Sequence, residues 1–166
     1  MNRRAFTLIE ILAVVVILGL IAGAVSITLA ASAQKATFTG VIEQVAWLDR
    51  TTRRYCVQHG QSARLTFDTF TQIISRPAKD DAYTSTLRLS AARLDRVRTL
   101  GSLAGDEEGA ITITPAGRSA TYALRFVGPT GQVSWLVILG LTGEVVHMDS
   151  DGDLDAFFDA MRGAAQ

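Results

Sequence analysis

Cysteine is almost missing from this chain of 166 residues: Cys56 stands alone, which excludes an internal disulfide and every metal site built from several cysteines. Neither sign of charge prevails. Sixteen basic residues balance sixteen acidic ones, so no global field draws the chain to nucleic acid or anionic lipid, and any binding has to be local. Proline is scarce too, and Pro77, Pro115 and Pro129 all lie in the C-terminal two thirds, leaving the N-terminal third free to form one unbroken helix. The only histidines are His59 and His147. No base stands beside an activated nucleophile, and Cys56 with His59, three apart on one helical face, reads as packing near a helix end. Paired glycosidase carboxylates, a Walker loop, an aromatic-basic surface, internal repeats and low-complexity tracts are all lacking. These absences point away from an enzyme and imply no cofactor.

What the chain does have is a long apolar run. From Ile11 to Ala31 there is no charged side chain; as a helix this stretch reaches about 32 Å, enough to cross a hydrocarbon core of roughly 30 Å. Arg3 and Arg4 precede it, so the positive-inside tendency keeps the N-terminus cytoplasmic and places the body in the periplasm or outside. Glu10 breaks the pattern among Phe6, Thr7, Leu8, Ile9, Ile11 and Leu12. A carboxylate there either snorkels to water, sits favourably at the helix N-terminus, or needs a partner charge. Gly19 and Gly23 have the small-xxx-small spacing that lets helix backbones approach closely in lipid. A rival origin for the same run is a secretory signal, with Met1 to Arg4 as n-region, Leu12 to Ile27 as h-region and cleavage after Ala33. Against it stand Glu10 and an apolar run longer than the roughly 7 to 15 residues of an h-region.

The run Arg3-Arg4-Ala5-Phe6-Thr7-Leu8-Ile9-Glu10-Ile11-Leu12 resembles the class III signal of type IV pilins and type II secretion pseudopilins. That resemblance implies a prepilin peptidase that cuts between Ala5 and Phe6 and methylates the new amine of Phe6. Ala5 stands where the family usually has glycine. It also implies that Glu10 becomes the fifth residue of the mature chain and meets the amine of an adjacent subunit. Such a pair is attractive in low dielectric but pays for desolvation, so it fixes register more than it adds stability.

Beyond the apolar run, Val41, Ile42, Val45, Leu48, Thr52, Tyr55 and Cys56 recur at three- and four-residue steps, with Glu43, Gln44, Asp49, Arg50 and Arg53 mostly between them. This predicts one helix from Phe6 to about His59, softened at Gly40 and stopped by Gly60. Arg64 to Phe70 and Gln72 to Ser75 suggest short strands, Leu87 and Leu89 alternate, and Ser90 to Leu100 fits either a strand or a helix. Gly101 to Gly109 reads as an exposed loop. Ile111 with Ile113, Thr121 to Val127, Val133 to Leu139 and Glu144 to Met148 read as successive antiparallel strands. Trp47 and Trp135 are expected between helix and sheet. Ile111 to Ser119 and Leu139 to Val145 are similar to H-type minor pseudopilins and related FimT-like pilins; Arg118 falls in a turn of that segment.

Asp149, Asp151, Asp153 and Asp155 alternate as carboxylates around a hard cation can, but the glycine falls at the fourth place, unlike an EF-hand loop. The same aspartates suit the N-terminus of a short helix carrying Leu154, Phe157, Phe158 and Met161.

The expected fold is α+β and pilin-like, a long N-terminal helix laid against an antiparallel sheet. Its parts are a leader (residues 1–5), a membrane and assembly helix (6–31), the periplasmic half of that helix (32–59), a β-rich body (60–148) and an acidic tail or short helix (149–166). As the resemblance implies, the chain is a single-pass inner-membrane subunit that joins a periplasmic pseudopilus of a type II secretion system. Its implied partners are other pseudopilins or pilins, met through the N-terminal helix, and prepilin peptidase, with no nucleic acid. The alternatives are a minor pilin priming a type IV pilus and a soluble module released at Ala33.

Overall fold

With neither proline nor a glycine pair to break it, the N-terminal third forms the single helix α1, Leu8–His59. It passes Gly40 without interruption and stops at Gly60, whose φ of 63° lies in the left-handed region that ends helices. This computed structural model describes residues 8–77, 85–100 and 109–163, and of residues 24–31 the backbone alone. The chain divides into two units, residues 1–37 and 38–166.

In the first unit the described side chains of α1 are exposed all round, from Leu8 at 83% to Val14 at 49%. Among the described residues no helix is long and apolar enough to cross a membrane. The sequence-based span from Ile11 to Ala31 includes residues 24–31, whose side chains lie outside the described residues.

The second unit holds the rest of α1, eight strands and a closing helix. The strands are β1 (Ala63–Asp68), β2 (Ile73–Arg76), β3 (Ser85–Arg88), β4 (Arg93–Leu100), β5 (Ala110–Ile113), β6 (Thr121–Val127), β7 (Val133–Ile138) and β8 (Val145–Met148), followed by α2 (Asp151–Gly163). They form two antiparallel sheets rather than the one expected, in the orders β3-β2-β1-β5 and β4-β6-β7-β8. Strand β5 is therefore not the first of a consecutive run. It returns to pair with β1, Leu65 opposite Ile111, while the turn closed by Thr114 N–H to the Arg118 carbonyl (2.7 Å) sends the chain to the other sheet. The ambiguous stretch before Leu100 is strand β4, with a register shift between Leu94 and Arg96. The expected loop from Gly101 to Gly109 lies outside the described residues up to position 108.

One apolar core joins α1 to both sheets. Val41, Ile42, Val45, Leu48 and Cys56 of α1 meet Leu65, Phe67, Ile74, Ile111 and Ile113 of the first sheet and Leu94, Tyr122, Leu124, Phe126, Leu136 and Ile138 of the second. A smaller core lies on the other face of the second sheet, where Ala123, Trp135 and Val137 meet Leu154 and Phe158 of α2. β7 is consequently buried on both faces and reads Val-Ser-Trp-Leu-Val-Ile rather than alternating. Both tryptophan expectations need correction. Trp135 packs under α2, not under α1, because its place in β7 points it to the outer face; Trp47 is 63% exposed, because it falls between the buried stripes of α1.

Candidate functional site

The N-terminal face of α1 is built from residues that need cover and have none among the described residues of its unit. Leu8, Ile9, Ile11, Leu12, Val14 and Val15 are all exposed, and Glu10 sits exposed among them in the first turn of the helix. A carboxylate in that turn is favoured by the helix macrodipole. A Cβ added at Gly19 or Gly23 would meet nothing within 4 Å, so both glycines present open backbone surface. The processing pair Ala5 and Phe6 lies outside the described residues.

In the second unit, polar chemistry is concentrated where the sequence was read as solvated. Asp49 and Arg53 are 1% and 8% exposed. They lie one turn apart on the stripe that carries Val45, Thr52 and Cys56, and that position was the available signal of their burial. Arg53 Nε donates to Asp49 Oδ2 at 2.6 Å, its Nη1 to the carbonyls of Gly117 (2.8 Å) and Gly140 (2.9 Å), and its Nη2 to Ser119 Oγ (2.8 Å). Tyr122 donates its hydroxyl to Asp49 Oδ1 at 2.7 Å. Burial, and then the adjacent Asp49 carboxylate, push the Tyr122 hydroxyl well above its ordinary pKa, so it remains a donor. One guanidinium thus ties α1 to the turn after β5 and to the turn between β7 and β8. Two glycines of the second turn make room: a Cβ at Gly140 would lie 2.0 Å from the Ser119 carbonyl oxygen, so glycine lets the two turns approach, and a Cβ at Gly143 would lie 2.9 Å from Arg53 Cδ. Arg118, in the first turn, is exposed.

Cys56 and His59 do not come together. Cys56 is fully buried with Sγ 3.8 Å from the Ile113 carbonyl, and burial raises its thiol pKa, whereas exposed His59 stacks on Tyr55 with ring centroids 4.2 Å apart. A neutral, enclosed thiol is a poor nucleophile.

The C-terminal aspartates are spread along one helix end. Ser150, rather than an aspartate, caps α2: its Oγ accepts from the Asp153 N–H at 3.1 Å and donates to Asp153 Oδ2 at 2.7 Å, a variant of the capping box. Asp151 Oδ1 accepts from the Trp135 indole (2.7 Å) and from Arg125 Nε (3.3 Å), and Asp155 Oδ1 accepts from Arg98 Nη1 (2.7 Å). The indole and then Arg125 hold the Asp151 carboxyl below its ordinary pKa. Asp149 precedes the helix and is exposed. Among the described residues no group of three or more His, Cys, Asp or Glu side chains is arranged to hold a metal ion.

Residues 1–26 match the prokaryotic N-terminal methylation motif. Among curated proteins none matches the chain. Among solved structures, the minor pseudopilin EpsH from the type 2 secretion system of Vibrio cholerae is similar, with a TM-score of 0.51 at 10% identity, covering 68% of this chain and 96% of that one. At such identity the likeness is one of fold. The chain therefore carries a prokaryotic N-terminal methylation motif over residues 1–26 and shares the α+β fold of a minor pseudopilin.

Proposed function

We propose that this chain is a minor pseudopilin, a structural subunit of a type II secretion pseudopilus that supports protein export across the outer membrane. The observation that carries this is the combination of a methylation motif over residues 1–26 with a minor-pseudopilin fold in the body. Arg3 and Arg4 hold the N-terminus in the cytoplasm, and the apolar first half of α1 anchors the chain in the inner membrane with its body in the periplasm. Prepilin peptidase then cleaves between Ala5 and Phe6 and methylates Phe6. The exposed apolar side chains, with Gly19 and Gly23, exchange lipid for neighbouring pilin-like helices, and Glu10 meets a neighbour's N-terminal amine at the same depth. The role is assembly rather than catalysis. The body match favours a secretion pseudopilus over a type IV pilus, whose subunits share the same signal.

Intact mass and N-terminal analysis of the mature protein test this. A chain beginning with N-methylated Phe6 is expected. A chain beginning at Gln34, after release at Ala33, would make the body a secreted module instead, and retention of Met1 would remove the processing step.

A further inference from the structure

β4 is the outer strand of its sheet, so one row of its backbone N–H and C=O groups has no neighbouring strand among the described residues. At Leu94 a glutamine takes the neighbour's place: Leu94 N–H donates to Gln72 Oε1 at 2.6 Å, and Gln72 Nε2 donates to the Leu94 carbonyl at 3.0 Å. A side-chain amide thus reproduces both hydrogen bonds of a strand residue. Gln72 does so at a φ of 58°, which residues other than glycine rarely adopt, so the pairing is kept against backbone strain. Past Leu94 the register shifts, and Asp95, Arg96 and Val97 form one wall of a cleft of about 600 Å³; Arg64, Thr66 and Asp68 of β1 stand on the other. The carboxylates of this cleft are already engaged. Asp68 Oδ1 accepts the N–H groups of Phe70 (2.8 Å) and Thr71 (2.9 Å), and Asp95 is held by Arg125 Nη1 at 2.6 Å and Arg93 Nη2 at 3.3 Å. Arg96, in contrast, is exposed and has no hydrogen bond or ion pair among the described residues.

We propose that the cleft binds an extended segment of a partner protein, added as a further strand along β4 from Arg96 to Leu100 and alternating acidic with apolar side chains. Strand addition supplies the main-chain hydrogen bonds that the edge lacks, and side chains of alternate parity set the choice of partner. The free guanidinium of Arg96 fixes one parity as acidic, because a carboxylate matches its fork of donors and a basic group would find no open acid. Val97 points to the opposite face, where it packs against the core, and fixes the other parity as apolar. Gln72 marks the end of the site, since the outward groups of Leu94 are taken. None of these residues lies in the assembly helix, so the site stands independently of the filament role.

The test uses the full chain in a non-ionic detergent and a fluorescent peptide of alternating valine and glutamate, with binding read by anisotropy. The peptide should bind, and a valine and lysine counterpart should bind about tenfold more weakly. Arg96→Glu should cost about tenfold in affinity without moving the unfolding midpoint, and Arg50→Glu on α1 should change neither. Two N-methylated versions of the peptide, one blocked at every valine nitrogen and one at every glutamate nitrogen, separate strand addition from plain charge attraction. One should lose about tenfold and the other little, because only alternate N–H groups of an added strand face β4. Equal binding by the two methylated peptides overturns strand addition, and equal binding by the lysine peptide overturns the acidic partner. An absence of binding, or binding indifferent to Arg96→Glu, overturns the site. The competing occupant is the chain's own acidic run, Asp106, Glu107 and Glu108. Replacing all three by serine should leave the affinity unchanged; a tenfold gain would show that the chain fills the cleft itself and overturn the partner.

Discussion

The two halves of α1 solve opposite solvation problems in one continuous helix. Upstream, Leu8 to Ile21 present apolar side chains in every direction, and the one acid, Glu10, is exposed. Downstream, Val41, Ile42, Val45 and Leu48 are confined to a stripe, and the acid and base on that stripe, Asp49 and Arg53, are enclosed with each guanidinium nitrogen hydrogen-bonded. A helix apolar all round requires lipid or other helices, whereas a striped one requires a single wall. A charge on the upstream half is therefore suited to intermolecular use, and the pair on the downstream half is spent within the fold.

Substitutions that exchange these consequences would break the contrast. The largest effect is expected at Glu10→Ala: incorporation into filaments should be lost, while insertion, processing at Phe6 and the unfolding midpoint of the body stay as in the parent chain. Filament incorporation at the parent level would show the carboxylate to be incidental. Next, Arg53→Ala should destabilise the body by about 3 to 5 kcal/mol, because it strands Asp49 in the core. Denaturant unfolding of the full chain in detergent measures this. Arg53→Lys should recover little, since a point charge cannot serve two carbonyls, a hydroxyl and a carboxylate at once. A shift no larger than that of an exposed arginine such as Arg54→Ala would mean that the cluster contributes nothing.

The smallest effect sharpens the contrast at the far end of the chain. The Asp151 carboxyl is held below its ordinary value, so the docking of α2 that it supports is complete above about pH 4 and is lost as the pH falls through the lower folded value. Trp135 fluorescence should report this acid transition, and Asp151→Asn should abolish it. An unchanged transition in that variant would assign the acid sensitivity to other carboxylates.

Legibility in the sequence followed the range of the interactions. The helix stop at Gly60 and the strands from Thr121 onward rest on local periodicity and turn residues, and the observed β6, β7 and β8 lie within one residue of the expected bounds. The ambiguity before Leu100 had a physical source: a register shift after Leu94 spoils the two-residue alternation of β4. The split into two sheets was hidden because β5 selects β1 across more than forty intervening residues, a choice that no short window contains. Asp49 and Arg53 were misread for the opposite reason, since residue type outweighed position; their spacing from Val45 and Cys56 already placed them on the inner stripe. In the candidate site, Glu10, Gly19 and Gly23, whose role in assembly is the one proposed above, were singled out by chemistry alone, because an acid and two glycines stand out against an aliphatic background. The exposed Trp47 was not, because an aromatic residue beside an apolar stripe is assigned to the core by default.

The Arg53 cluster has a mechanical consequence. In the filament role proposed above, a subunit pushed along the axis of α1 would pass thrust to its body through whatever couples helix to sheets, and greasy surfaces offer slight resistance to sliding. Directional bonds from one guanidinium to Gly117, Ser119 and Gly140 oppose that shear in two separate turns. The helix and its body are in effect riveted, so that displacement of one carries the other with it.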